Sequence, residues 1–266
     1  MNICLFTSDE ISNPLPVADE RGQHLLKVLH KKEGDTFTAG IIGGSSGVAT
    51  ITKIELGEEK HSGQIHFTFE PTGDGKQLTT LIMIIGFPRP IQLKRLLRDI
   101  AALGVQEVHL TGTELGEKSY MQSTLVERGA AYKMLLDGTV QAGSTHVPEL
   151  FLHQSLKECL DYCQEHSSKE HSHHVLRLAL DNVNPKCALN EAMEDIPCMQ
   201  CENPCADGKS VYAAIGSERG WTNKEREMLE EYGYIRCGMG HRIMRTETAA
   251  TVAGAVILNR LGYLDK

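Results

Sequence analysis

Two stretches near the C-terminal end carry residue types that can bind a ligand and assist a reaction. In VYAAIGSERGWTNKE (residues 211–225), an apolar run stops at Gly216 and a second glycine, Gly220, follows four residues later. Between them stand Ser217, Glu218 and Arg219. Glycines let a ligand approach the backbone, and a helix start behind them offers free N–H groups. The helix start is marked by Thr222-x-x-Glu225, which has the pattern of a capping box. The spacing matches neither the dinucleotide fingerprint nor the phosphate loop, and alone it is more simply a tight structural turn. In GMGHRIMRTETAA (residues 238–250), two glycines precede His241 and Arg242, and Arg245-Thr-Glu-Thr opens a further helix. Thr246 or Thr248 is the expected N-cap, and Glu247 suits the positive helix start. Arginines beside glycines ahead of a helix bind anions or stabilise developing negative charge. Two such loops after successive strands imply one shared site at that end of a sheet.

Other groupings are weaker. Cys198-x-x-Cys201-x-x-x-Cys205, with Cys187 nearby and His171, His173 and His174 upstream, has one step suited to zinc. Its second half is not cleanly spaced, so the expectation is free thiols and no metal. Arg89, Lys94, Arg95 and Arg98 form a run of cations without an anion, which also fits the solvated face of an amphipathic helix. No Ser/His/Asp arrangement follows from spacing, which disfavours a nucleophilic hydrolase.

The elements that position these residues change character along the chain. Residues 1–72 are mostly short strands with one helix near RGQHLLKVLH, which suits a small β-barrel or sandwich. The polar, glycine-rich PTGDGKQ is the expected boundary, placing one domain over 1–73 and a second over 77–266. LTTLIMIIG is a continuous apolar run, as in a strand covered on both faces. Leu93, Leu96, Leu97, Ile100 and Leu103 then recur at helical spacing up to Gly104. Strand–helix alternation continues to the C-terminus, which predicts a mostly parallel α/β sheet. Residues 164–174 and 182–209 are expected to be loops.

The 266 residues carry a net charge of −8, the wrong sign for a general nucleic-acid binder, although a small basic face can still engage phosphates. The N-terminal MNICLFTSDEISNP has neither a basic stretch nor a long apolar run, and eight cysteines suit reduced thiols. The expectation is a cytoplasmic protein with no membrane segment.

The two loops together resemble the ribosomal RNA small-subunit uridine-N3 methyltransferase (RsmE) family of the SPOUT superfamily. The family pattern reads G-P-E-G-G and then L-G-x-R-I-L-R-T-E-T-A; here GSERG (216–220) and MGHRIMRTETA (239–249) stand in its place. HLLKVLHKKEGD (24–35) is similar to the family's N-terminal H-x-x-V-L-R-x-x-x-G-D. The resemblance implies a PUA-like β-barrel that contacts RNA, then a trefoil-knotted SPOUT domain, with residues 182–209 as an inserted loop carrying cysteines. It implies S-adenosylmethionine as cofactor, 16S rRNA or the small ribosomal subunit as partner, and a homodimer. By matching, the cofactor is held by Leu180, Asp181 and Asn182, then by Gly216, Ser217, Glu218 and Gly220, and last by Gly238, Met239, Gly240, Ile243, Met244 and Arg245. Arg245 and Glu218 are the implied catalytic pair. His24, Arg89, Arg95, Arg98, Arg219 and Arg242 are the implied RNA contacts. Ser217 and Arg219 stand where the family has proline and glycine. A SPOUT methyltransferase for another RNA position and an inactive RNA-binding homologue are the alternative readings.

Overall fold

The alternation in the first seventy residues builds a five-stranded sheet. Its strands are β1 (Cys4–Phe6), β2 (Leu15–Pro16), β3 (Thr36–Ile41), β4 (Ser46–Leu56) and β5 (Gly63–Gly73), in the order β1-β3-β4-β5-β2. Only β1 and β3 run parallel. Phe6, Phe37, Ile51 and Ile65 fill its core. The helix expected near residue 24 is a single turn, α1 (Glu20–Gln23), which Asp19 caps, and a π-helical turn over His24–Val28 follows. Arg21 ties this corner together: it donates to the Leu5 carbonyl at 2.7 Å and to Asp19 and Glu10. The guanidinium holds both carboxyls below their usual range.

The computed structural model describes residues 2–59, 61–122, 129–167, 174–194 and 209–264. The chain divides into two compact units, Met1–Gln77 with Leu136–Val147, and Leu78–Leu135 with Pro148–Lys266. The later segment joins the first unit through polar bonds: Thr145 exchanges hydrogen bonds with the Gly43–Gly44 turn, and Ser144 donates to the Lys76 carbonyl.

In the second unit, β6 (Leu81–Gly86) is buried along its whole length, as its uninterrupted apolar run requires. It is followed by α2 (Pro90–Ala102), whose apolar stripe is buried, and β7 (Glu107–Thr111). Then come α3 (Lys118–Met121), α4 (Ala130–Ala142), β8 (Glu149–His153), α5 (Leu156–Ser167) and β9 (His174–Leu180). The chain closes with β10 (Cys187–Ala188), α6 (Leu189–Ala192), β11 (Lys209–Ile215), α7 (Asn223–Glu231), β12 (Ile235–Gly238) and α8 (Thr246–Arg260). The seven strands form one parallel sheet in the order β10-β12-β9-β11-β6-β7-β8. This is the mostly parallel α/β sheet expected from strand–helix alternation. Among the described residues, no helix is long and apolar enough to cross a membrane.

Two expected loops are corrected. Residues 164–167 continue α5, because Leu156, Cys159, Leu160 and Cys163 give it a buried face of small and apolar residues. Cys187 and Ala188, expected in a loop, add a two-residue edge strand against Cys237 and Gly238, too short to show periodicity. Cys198, Cys201, Cys205, His171 and His173 lie outside the described residues.

Candidate active site

Because β9, β11 and β12 run parallel, the chain leaves all three at the same end of the sheet. The segments that follow line one cleft of about 270 Å³, just below the roughly 300–1,000 Å³ of ligand pockets. Leu180, Asp181 and Asn182 come from the first, Gly216 to Trp221 from the second, and Met239, Gly240, Arg242, Ile243 and Met244 from the third. Thr246 and Ala249 of α8 complete it.

The loop after β11 is fixed by its neighbours. The Gly220 N–H donates to the Ser217 carbonyl at 2.9 Å, closing a four-residue turn. Gly220 has φ +72°, a conformation that favours glycine, while Arg219 is not among the residues with positive φ. Arginine therefore sits in the third position of this turn without backbone strain, where the family pattern has glycine. On the sheet side, a Cβ at Gly86 would lie 2.5 Å from the Ser217 nitrogen, so the end of β6 presses directly on the loop. Trp221 is buried and its indole N–H donates to the Leu180 carbonyl at 3.1 Å. Behind the loop the expected capping box forms: Thr222 Oγ1 accepts from the Glu225 N–H and Glu225 Oε2 accepts from the Thr222 N–H. Glu225 also accepts from the Glu114 N–H, so this buried carboxylate joins two strand-end loops.

Asp181 reaches the cleft as part of a buried ion-pair knot. Its carboxylate receives Arg226 Nε at 2.6 Å and Arg236 Nη1 at 3.3 Å, and it accepts from the Val183 N–H. The carboxylate thus braces β9 against α7 and β12. The loop after β12 is more open. Ile243 is 84% exposed and His241, Arg242 and Arg245 are exposed. The N-cap of α8 is Arg245, without a side-chain cap, and neither expected threonine takes that place. Thr246 is one residue too late and donates to the Gly216 carbonyl at 3.3 Å, joining the two loops.

The cleft gathers every expected cofactor residue except Gly238 and Arg245. Gly238 ends β12 against Pro185, and Arg245 is exposed at the start of α8. Ile215, Trp221, Thr246 and Ala249 also line it, although none of them was among the expected cofactor residues. A second cleft, of about 90 Å³, shares Ser217, Glu218 and Arg219 and adds Phe87, Arg89 and Tyr120. There Glu218 Oε2 accepts from Arg89 Nε at 3.1 Å. Hydrogen bonding to Tyr120, and then the Glu218 charge, raise the Arg89 pKa above its ordinary value. The expected RNA contacts are thus divided. Arg89 and Arg219 share the smaller cleft, and Arg219 and Arg242 line the larger. Arg95 and Arg98 are exposed on α2, with Arg95 3.7 Å from Asp99. His24 belongs to the first unit, where burial lowers its pKa and Nε2 has no hydrogen-bond partner among the described residues.

Residues 76–258 match the family described as RNA methyltransferase domain. The chain is 37% identical to ribosomal RNA small subunit methyltransferase E of Treponema pallidum (strain Nichols), over 97% of this chain and 91% of the relative. It is 27% identical to ribosomal RNA small subunit methyltransferase E 1 of Borreliella burgdorferi (strain ATCC 35210 / DSM 4680 / CIP 102532 / B31), over 98% and 99% of the two chains. A similar fold occurs in the crystal structure of a ribosomal RNA small subunit methyltransferase E from Neisseria gonorrhoeae bound to S-adenosyl methionine, with TM-score 0.71 and 20% identity, covering 97% of each chain.

Proposed function

The chain belongs to the RNA methyltransferase family, and on that premise we propose that it carries a methyl group from S-adenosylmethionine to N3 of a uridine in small-subunit (16S) ribosomal RNA. The convergence of three strand-end loops on one cleft carries this reading. The cleft residues suit the cofactor. Ser217 Oγ is buried with no hydrogen-bond partner among the described residues, so a polar ligand group can satisfy it. Glycines at 216, 220 and 240 leave the backbone approachable, and the start of α8 presents N–H groups beside Thr246.

Bound S-adenosylmethionine supplies an electrophilic methyl group. The protein prepares the nucleophile. Uridine N3 carries a proton and becomes reactive when that proton leaves, with negative charge spreading onto O2 and O4. Arg219, exposed at the edge of both clefts, and Arg245, at the head of α8, stabilise that charge. Glu218, held by Arg89, acts as an orienting group rather than a free base. His24 and the exposed cations of α2 contact the RNA. A homodimer, the trefoil knot and a cytoplasmic location belong to the same proposal.

Calorimetry with S-adenosylmethionine, followed by methylation of small subunits from cells lacking the gene, tests it. The expected product is N3-methyluridine at one position, read by mass spectrometry. Methylation at another atom or base overturns the substrate assignment, and absence of cofactor binding overturns the activity. Arg245→Ala is expected to lower turnover by roughly a hundredfold or more while cofactor affinity changes little. A wild-type rate in that variant removes Arg245 from the mechanism.

A further inference from the structure

Away from the cleft, at the β8 edge of the parallel sheet, four soft or nitrogen donors meet in the core. His109 lies on β7, His153 ends β8, and Cys159 and Cys163 stand one turn apart on α5. All four side chains are buried. His109 Nδ1 is 3.0 Å from His153 Nε2 and 3.9 Å from Cys163 Sγ. Donor atoms of His109, His153 and Cys159 all lie within 4.8 Å of one another. In a tetrahedral zinc site with ordinary bond lengths, two nitrogens stand about 3.3 Å apart and a nitrogen and a sulfur about 3.6 Å apart. The two distances from His109 Nδ1 are each within about 0.3 Å of those edges, and the Cys159 sulfur lies within 4.8 Å of both histidine donors.

The surroundings match as well. His109 Nε2 is 2.9 Å from Glu107 Oε2, a carboxylate behind an imidazole whose other nitrogen faces the cluster. That is the outer partner that fixes the ring and tautomer of a metal-bound histidine. The Phe151 ring stacks on His109 at 4.7 Å, which shields the donors from water. Buried cysteines are ordinary core residues, but two buried imidazoles converging with them between a helix and two strands call for another explanation.

We propose that His109, His153, Cys159 and Cys163 form a closed structural site for a divalent metal ion of the zinc class. On binding, the ion accepts lone pairs from Nδ1 of His109, Nε2 of His153 and the two sulfurs, and the protons on those atoms pass to solvent. Four protein ligands leave no open position, so the ion joins α5 to β7 and β8 and takes no part in methyl transfer.

The test uses the full-length protein, exposed to Zn2+ and freed of loose metal by gel filtration. About one equivalent per chain is expected by mass spectrometry of the metal. With Co2+ instead, tetrahedral d–d bands and thiolate-to-metal charge transfer are expected. Cys159→Ser with Cys163→Ser is expected to abolish both, and His153→Gln to weaken retention. Cys198→Ser with Cys201→Ser and Cys205→Ser is expected to retain metal and spectrum. If the Cys159/Cys163 variant fails to fold, the cobalt spectrum of the wild type and of the triple variant decides. Wild type without retained metal or without cobalt–thiolate bands overturns the site, as does loss of the metal in the triple variant.

Discussion

The loops after β11 and β12 line the same cleft and are held in opposite ways. In the first, Ser217 and Trp221 are buried, the turn closes on itself at Gly220, and Gly86 of β6 presses against the backbone. In the second, His241, Arg242 and Ile243 face outward, and α8 begins without a side-chain cap. The wall set by backbone contacts keeps its shape because any displacement must move two strands. The open wall leaves charged and apolar side chains uncovered, which a ligand can cover. A glycine loop in the sequence is open to a structural and a binding explanation; in the first wall backbone contacts supply the structural one, and the same residues line the cleft.

The comparison can be broken most strongly at Asp181. Asp181→Ala takes the carboxylate from Arg226, whose side chain is 14% exposed, while Arg236 keeps its ion pair with Glu230 at 2.6 Å. A loss of about 3–5 kcal/mol in urea denaturation is expected. A loss below about 1 kcal/mol would show that the fixed wall does not depend on this knot.

A smaller perturbation is Gly86→Ala, whose Cβ would meet the Ser217 nitrogen at 2.5 Å. Overpacking of about 1–3 kcal/mol is expected to displace the loop, read as a fall in S-adenosylmethionine affinity of roughly tenfold to a hundredfold. Unchanged affinity would mean that the wall tolerates displacement. Thr246→Val removes the hydroxyl that joins the two loops at Gly216. It is expected to cost about 1 kcal/mol of stability, measured by denaturation.

The smallest effect on the free protein belongs to the open wall. Ile243→Ala is expected to change stability by less than about 0.5 kcal/mol, yet to weaken cofactor binding severalfold. Equal affinity in wild type and variant would show that this wall does not close over its ligand.

Much of this was legible locally. The continuous apolar run of β6, the stripe of α2 and the Thr222/Glu225 capping box each depend on neighbours a few residues apart, and each forms where expected. The two loops were legible as a pair because the residues after parallel strands emerge at one end of the sheet. Less was visible where partners are distant. Glu218 meets Arg89 across 129 positions, and no pattern within its own loop announces that ion pair. The Cys-x-x-Cys spacing drew attention to residues 198–205, whereas the histidine–cysteine cluster joins residues from three separate elements.

By itself, then, the sequence determined which segments alternate, which are buried and which loops carry glycine beside charge, because propensity and periodicity act over a few residues. Only the tertiary structure decided that Asp181 is braced by Arg226 and Arg236, that Arg219 occupies an unstrained turn position, and that His109, His153, Cys159 and Cys163 meet in the core. Those outcomes depend on strand order and register, which place side chains from distant segments within hydrogen-bonding distance.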